Sequence, residues 1–328
     1  MVTDGMVSWL FAILGGGVLA ACYVAVLKRP RREPLGKRVV LIALIIVTGR
    51  MFRAPVVREP FDALVGGAIG IQNAGYILSQ VFVVLALLIL LVLNCEVLFP
   101  WFRTAPGHLL SDIFKVGYVA AVTLTLAFSD LGEAEVTYLP AAYDGSVLET
   151  IFFALFAIIC MLTGSVSLMV TIPAVKWTRG YLRMTFISYS LMMVLCFLYG
   201  LHSWVYSRTI ARYPDRVSEW WYGRNAMSVS AMIMVGVLGL FILAVSTYSV
   251  SAVRARLYRY RALRAQLDTW IYVRENAPTL EWSDVPTPRR SRLSCWRAAK
   301  NSIATYRMMI ELSDADFVGL PPLAHPRN

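Results

Sequence analysis

Charge is scarce in this 328-residue chain: Asp, Glu, Lys and Arg make up 16% of it, against 58% apolar residues. A soluble domain is ordinarily about a quarter charged and about half apolar. That shortage, with a mean hydropathy of +0.62, excludes a soluble enzyme and a disordered tail. Cysteine is also sparse. Five residues, Cys22, Cys95, Cys160, Cys196 and Cys295, are too scattered for a disulfide framework. They read as small buried hydrophobes or free thiols. Histidine occurs three times, at His108, His202 and His325, with no metal-ligand spacing. Bis-histidine haem ligation needs two facing histidines, and His202 alone falls within an apolar run. The expected cofactor and metal content is none.

What the chain has in abundance is long apolar runs. About 20 residues at 1.5 Å each cross a hydrocarbon core of about 30 Å, and that ruler predicts seven crossings. Six are clear: Val7–Leu27, Gly75–Phe99, Ile113–Ser129, Val147–Val175, Tyr181–Tyr206 and Asn225–Tyr248. The seventh, Val39 to about Arg53, is weaker because its uncharged run ends at Gly49. A six-span alternative would lay it flat. The expected fold is therefore an all-α integral membrane bundle of seven helices over residues 1–250, followed by a small helical tail over 251–328.

Orientation follows from Lys and Arg in the loops. Six basic residues crowd Lys28–Arg38, Lys176, Arg179 and Arg183 fill the fifth loop, and thirteen lie between Arg254 and the end. With seven spans these segments share one side. The N-terminus is then expected outside and the tail in the cytoplasm. The net charge of +11 is accounted for by topology and attraction to anionic lipid, and no nucleic-acid partner is expected.

An ionisable residue at membrane depth is costly and so marks a candidate site. Arg50 and Arg53, three apart on one helical face, are followed by Asp62 and by a Gly-rich stretch ending at Asn73. These four residues are the expected ligand site, an outward pocket in which the arginines grip an anion or carboxylate. The plainer reading is that both arginines snorkel to the headgroups. Gln80, Thr163 and Ser165 are polar within spans and would line a path, although such residues more often let helices pack closely.

The tail opens with a basic amphipathic pattern. Leu257, Tyr260, Leu263, Leu267 and Trp270 recur every three or four residues, with Arg254, Arg256, Arg259, Arg261 and Arg264 around them. Such a helix is expected to contact anionic lipid or a cytoplasmic partner protein. A second periodic segment runs from Leu293 to Ile310. The tail lacks the length and the glycine loop of a kinase or nucleotide-binding domain. No oligomeric state follows from the sequence.

The passage from Pro55 through Asp62 and Gly70 to Asn73, the Arg256-Leu257-Tyr258 opening of the tail, Trp270, Pro278, and Tyr306-Arg307 with Glu311 and Asp314 together resemble a known family. It is a group of actinobacterial seven-pass membrane proteins with a C-terminal cytoplasmic domain of unknown function, provisionally labelled transporters. Here Glu311-Leu312-Ser313-Asp314 stands where Glu-Ile-Arg-Asp is more usual. The resemblance implies a bacterial plasma-membrane address and this topology, and no substrate.

Three functions remain. A membrane sensor or adaptor accounts for the odd span number, the sparse polar lining and the contact-rich tail. The alternative, a small-molecule transporter, needs a midplane site and usually broken helices or repeats. An intramembrane enzyme needs reactive groups at depth, such as paired carboxylates or a His cluster, and the spans hold none. The expectation is a sensor or adaptor and not an enzyme.

Overall fold

The computed structural model describes residues 34–52, 54–66, 68, 71, 73–129, 146–213, 216, 219–278, 287–300 and 302–318. Its elements are α1 (Pro34–Met51), α2 (Pro55–Phe61), a π-turn (Asp62–Gly66), α3 (Ala74–Leu98), a 3₁₀ turn (Pro100–Arg103), α4 (Ala105–Ala127), α5 (Val147–Trp177), α6 (Gly180–Arg212), α7 (Trp221–Asn276), α8 (Arg292–Ala298) and α9 (Ser302–Phe317). No strand occurs among the described residues, in agreement with the all-helical expectation. Five helices, α3 to α7, are long and apolar enough to cross a membrane, the signature of a multi-pass membrane protein. Helix α1 carries Lys37, Arg38 and Arg50 within its 18 residues and is not among them. The first expected span, Val7–Leu27, lies outside the described residues.

The chain divides into two compact units. One comprises Met1–Arg179 and Phe186–Ala244, and the other Gly180–Thr185 and Val245–Asn328.

In the first unit the core lies among α3, α4 and α5. Val84, Leu88 and Leu91 of α3 meet Val122 and Leu126 of α4 and Phe152, Phe156 and Ile159 of α5. Helix α3 packs against α1, α2, α4 and α5, so one apolar rod organises the bundle. Close approaches between helices depend on glycine, as two positions illustrate. A Cβ on Gly49 of α1 would meet Phe82 Cβ of α3 at 2.7 Å, and one on Gly200 of α6 would meet Cys160 Cβ of α5 at 2.7 Å. Small residues at such crossings let helices associate where lipid removes the usual hydrophobic drive. Outward-facing Leu109, Ile113 and Val116 of α4 stay exposed, as a lipid-facing surface requires.

Helix starts are marked by local chemistry. Thr104 accepts from the Gly107 N–H to cap α4, Ser146 accepts from Glu149 to cap α5, and Ser291 accepts from Ser294 to cap α8. Each supplies an acceptor to an otherwise orphaned N–H. The expected fifth span and the start of the sixth lie within a few residues of α5 and α6, whereas α6 runs on to Arg212, past the expected Tyr206, and α4 begins well before the expected Ile113.

The second unit has its own small core. Leu263, Leu267 and Trp270 of α7 pack with Cys295 and Ala299 of the α8 segment and Met308 of α9. Leu263, Leu267 and Trp270 of the apolar stripe are thus buried against the tail's other helices. The periodic segment from Leu293 to Ile310 forms two helices, α8 and α9. Arg256 Nη2 donates to Trp296 O at 2.8 Å, and Arg259 Nε donates to Ala299 O at 2.9 Å. The Lys300 N–H turns to Arg297 O, three residues back. The arginines take carbonyls that a continuing helix would use, and α8 ends there.

Candidate functional site

Of the expected ligand site, Arg50 lies in the last turn of α1, and Arg53 lies outside the described residues. Asp62 accepts from the Gly75 N–H at 2.7 Å and faces Arg58 Nε at 3.8 Å. It thereby does the work of an N-cap for α3, because Asn73, at the capping position, has φ 57° and makes no side-chain cap. Residues Pro55–Gly66 fold as helix and π-turn packed on the start of α3. Asp62 and Asn73 are thus brought to one place, and Asp62 positions backbone there.

Three polar residues of α5 find partners on neighbouring helices. Thr163, fully buried on α5, donates to Leu87 O of α3 at 3.3 Å. One turn further, Ser167 accepts from Asn94 Nδ2 at 2.9 Å, and Asn94 also donates to Leu90 O at 2.8 Å. A further turn on, Thr171 accepts from Ser190 of α6 at 2.8 Å. Gln80 donates to the Tyr76 hydroxyl on its own helix at 2.8 Å. Ser165 is half-buried. A buried hydroxyl that bonds across an interface stitches helices together. Asn94 is the member of this ladder that sequence reasoning missed, since a lone amide near a span end looks like a boundary.

A second missed residue is Glu96, at the C-terminal end of α3. Its carboxylate bonds Arg38 Nη1 of α1 and lies 3.7 Å from His108 Nδ1 of α4. Its backbone carbonyl accepts from Arg103 Nε at 2.7 Å. Three helices are pinned at this end by one carboxylate that a run of uncharged residues precedes, which is the signal that was available. Within α6, His202 is buried, with Nδ1 2.6 Å from the Tyr222 hydroxyl and its ring stacked on Tyr206. Trp220 and Trp221, just before α7, are exposed.

A shallow groove of about 280 Å³ lies between α5 and α6, lined by Ile172, Val175, Lys176, Ile187, Ser190 and Leu191. It holds no set of reactive groups. No cluster of three His, Cys, Asp or Glu side chains among the described residues is placed to hold a metal.

The tail has the most sharply defined polar geometry. Glu311, fully buried on α9, accepts from Trp270 Nε1 at 2.6 Å and from Arg274 through Nε and Nη2, both at 2.8 Å. Arg274 Nη1 continues to Thr287 Oγ1 at 2.9 Å. Of the five expected contact arginines, Arg256 lies 4.1 Å over the Trp296 ring, and Arg259 bonds Ala299 O. Arg254 lies 4.7 Å over Tyr181, and Arg264 donates to Arg290 O at 3.3 Å. Arg261 is exposed. Arg256 and Arg259 turn inward and fasten α8.

Compared with known protein families, curated proteins and solved structures, this chain matches none.

Proposed function

We propose that this chain is a seven-span bacterial plasma-membrane sensor or adaptor, with its N-terminus outside and its basic tail in the cytoplasm. The proposal includes its kinship with the actinobacterial seven-pass family, an outward pocket at Arg50, Arg53, Asp62 and Asn73, and a tail that contacts anionic lipid or a partner protein. One observation supports the reading above the others. Helix α7 is assigned from Trp221 to Asn276, so the chain passes from the last expected span into the tail with no intervening loop. The hydroxyl ladder of Thr163, Ser167 and Thr171, bonded to neighbouring helices, fits a closed bundle better than a transport path. No catalytic step is part of the proposal.

Two-sided thiol labelling tests it. In a cysteine-free background, single cysteines replace Arg50, Arg53, Gln80, Thr163 and Ser165 and are probed in intact cells and inverted vesicles. The expected outcome is labelling of positions 50 and 53 from outside, with positions 80, 163 and 165 dry. Labelling of the latter three from both sides would mean alternating access and would replace this reading with a transporter.

A further inference from the structure

The tail arginines of α7 that the sequence offers to lipid are partly consumed inside the tail, so the cations free to meet a membrane lie elsewhere. Arg292 and Arg297 of α8, and Lys300 in the turn after it, are exposed and form no ion pair among the described residues. Arg290 beside them pairs with Asp268 at 3.0 Å. Leu293 and Arg297 stand four apart on the face of α8 opposite buried Cys295. Leu293 is 58% exposed. This face carries no acidic residue.

Its height along α7 is set by the two inward arginines. Arg256 and Arg259 hold the Trp296 and Ala299 carbonyls. They lie eight and eleven residues past Tyr248, where the expected span ends. At 1.5 Å per residue that is about 12 Å and about 16 Å of helix. The headgroup layer adds about 5–7 Å to the hydrocarbon edge, and the field of an anionic surface decays over about 8–10 Å in physiological salt. Arg and Lys side chains cover the remainder. Trp270, 22 residues past Tyr248 and about 33 Å along the helix, stands beyond that reach.

We infer that α8 is the membrane-reading element of the tail: its outer face, with Arg292, Leu293, Arg297 and Lys300, docks on the headgroups of anionic phospholipids. Arg256 and Arg259 serve as the fasteners that hold it at headgroup height. The choice of lipid over a protein partner rests on charge of one sign, one exposed aliphatic side chain as a shallow anchor, and that height. The inference rests on the proposed placement of the tail beside the membrane.

The test uses the full chain in nanodiscs of neutral phosphatidylcholine, or of the same lipid mixed with anionic phosphatidylglycerol. A photoreactive residue is placed at position 293, and a control at Phe317, which is 95% exposed on the far helix. Adducts are identified by mass. The expected result is a phosphatidylglycerol adduct at 293, weakened by salt and absent at 317. The R292Q/R297Q/K300Q variant should lower its yield about fivefold for each cation lost. Continued burial of Cys295 against maleimide would show that this variant keeps its fold. Equal yields in neutral and anionic discs, or no lipid adduct at 293, would overturn the inference. So would a protein adduct at 293 in whole cells. Nanodiscs expose both faces, so this result does not depend on which side the tail occupies. Protease protection of the tail in intact cells reports that separately, and digestion from outside would sink the proposed topology without touching the lipid contact.

Discussion

The Trp270 indole donates to the Glu311 carboxylate at 2.6 Å, and both side chains are closed off from solvent. Arg274 adds a two-pronged grip on the same carboxylate and lies 4.7 Å over the Trp270 ring. A charge this buried is tolerated only while its partners stay. Removing one member of a buried pair costs about 3–5 kcal/mol, whereas replacing both with apolar residues of similar volume is often neutral. Glu311→Ala should therefore unfold the tail at lower temperature and speed its proteolysis, by about that amount. The double variant R274M/E311L should recover most of the loss. Equal stability of E311A and the wild type, measured by tail proteolysis of the detergent-solubilised protein, would mean that the pair does not organise the unit.

The arginines of α7 should separate into two classes under alanine substitution. Arg256 bonds a helix-end carbonyl and stacks on Trp296, so Arg256→Ala should cost about 2 kcal/mol of tail stability. Arg261 is exposed, and Arg261→Ala should fall within about 0.5 kcal/mol of neutral. Equal effects of the two would contradict the fastening role. Hydrogen exchange of the α8 amides is the direct readout, since those amides should open first when Arg256 is lost.

Much of the bundle was legible because one physical rule dominates it. An apolar run that must span hydrocarbon shows itself by length, and α3 and α5 begin and end close to their expected limits. Helix α4 began earlier than that rule allows, since Thr104 and Pro106 start it by capping chemistry while its first turns carry His108 and Asp112. The relations hidden from the sequence are long-range. Asn94 meets Ser167 across 73 residues, Glu96 meets Arg38 across 58, and Arg256 meets Trp296 across 40. Each polar residue alone is unremarkable, and its meaning comes from a partner that no local pattern announces. The break between α8 and α9 belongs to the same class, for its cause lies on another helix.

Gly200 separates a packing role from a path role for the α5–α6 contact. A Cβ there meets Cys160 Cβ at 2.7 Å and Ala157 O at 3.0 Å, so the helices must move apart. Gly200→Ala should cost about 1–3 kcal/mol, the usual range for overpacking, and Gly200→Leu more. Ser167→Ala should cost about 1 kcal/mol by loosening the bond to Asn94. Both are read as lower unfolding temperatures in detergent. A Ser167→Ala protein of unchanged stability whose function is lost would instead favour a path lined by hydroxyls.

Cys295 offers a native reporter of the tail. Its side chain is fully buried, and burial pushes its thiol above the ordinary range, against a smaller downward pull from Arg264. Both shielding and a low thiolate fraction should make it slow to react with maleimide near neutral pH. Peptide mass spectrometry should find Cys295 unmodified long after an unfolded control is complete. The sign of the pH dependence follows from the raised pKa. The folded state keeps its proton where the unfolded thiol, with a pKa of about 8.5, has lost it, so this contribution to stability is intact below that pH and declines above it. Modification should therefore accelerate above about pH 8.5 by more than thiolate formation in a free cysteine explains. In Glu311→Ala, a loss of about 3 kcal/mol should raise the rate about 100-fold when the tail opens before it reacts. Rapid labelling of Cys295 in the wild-type protein would mean that α8 leaves α7 readily, and the fastening by Arg256 and Arg259 would then be too weak to hold it.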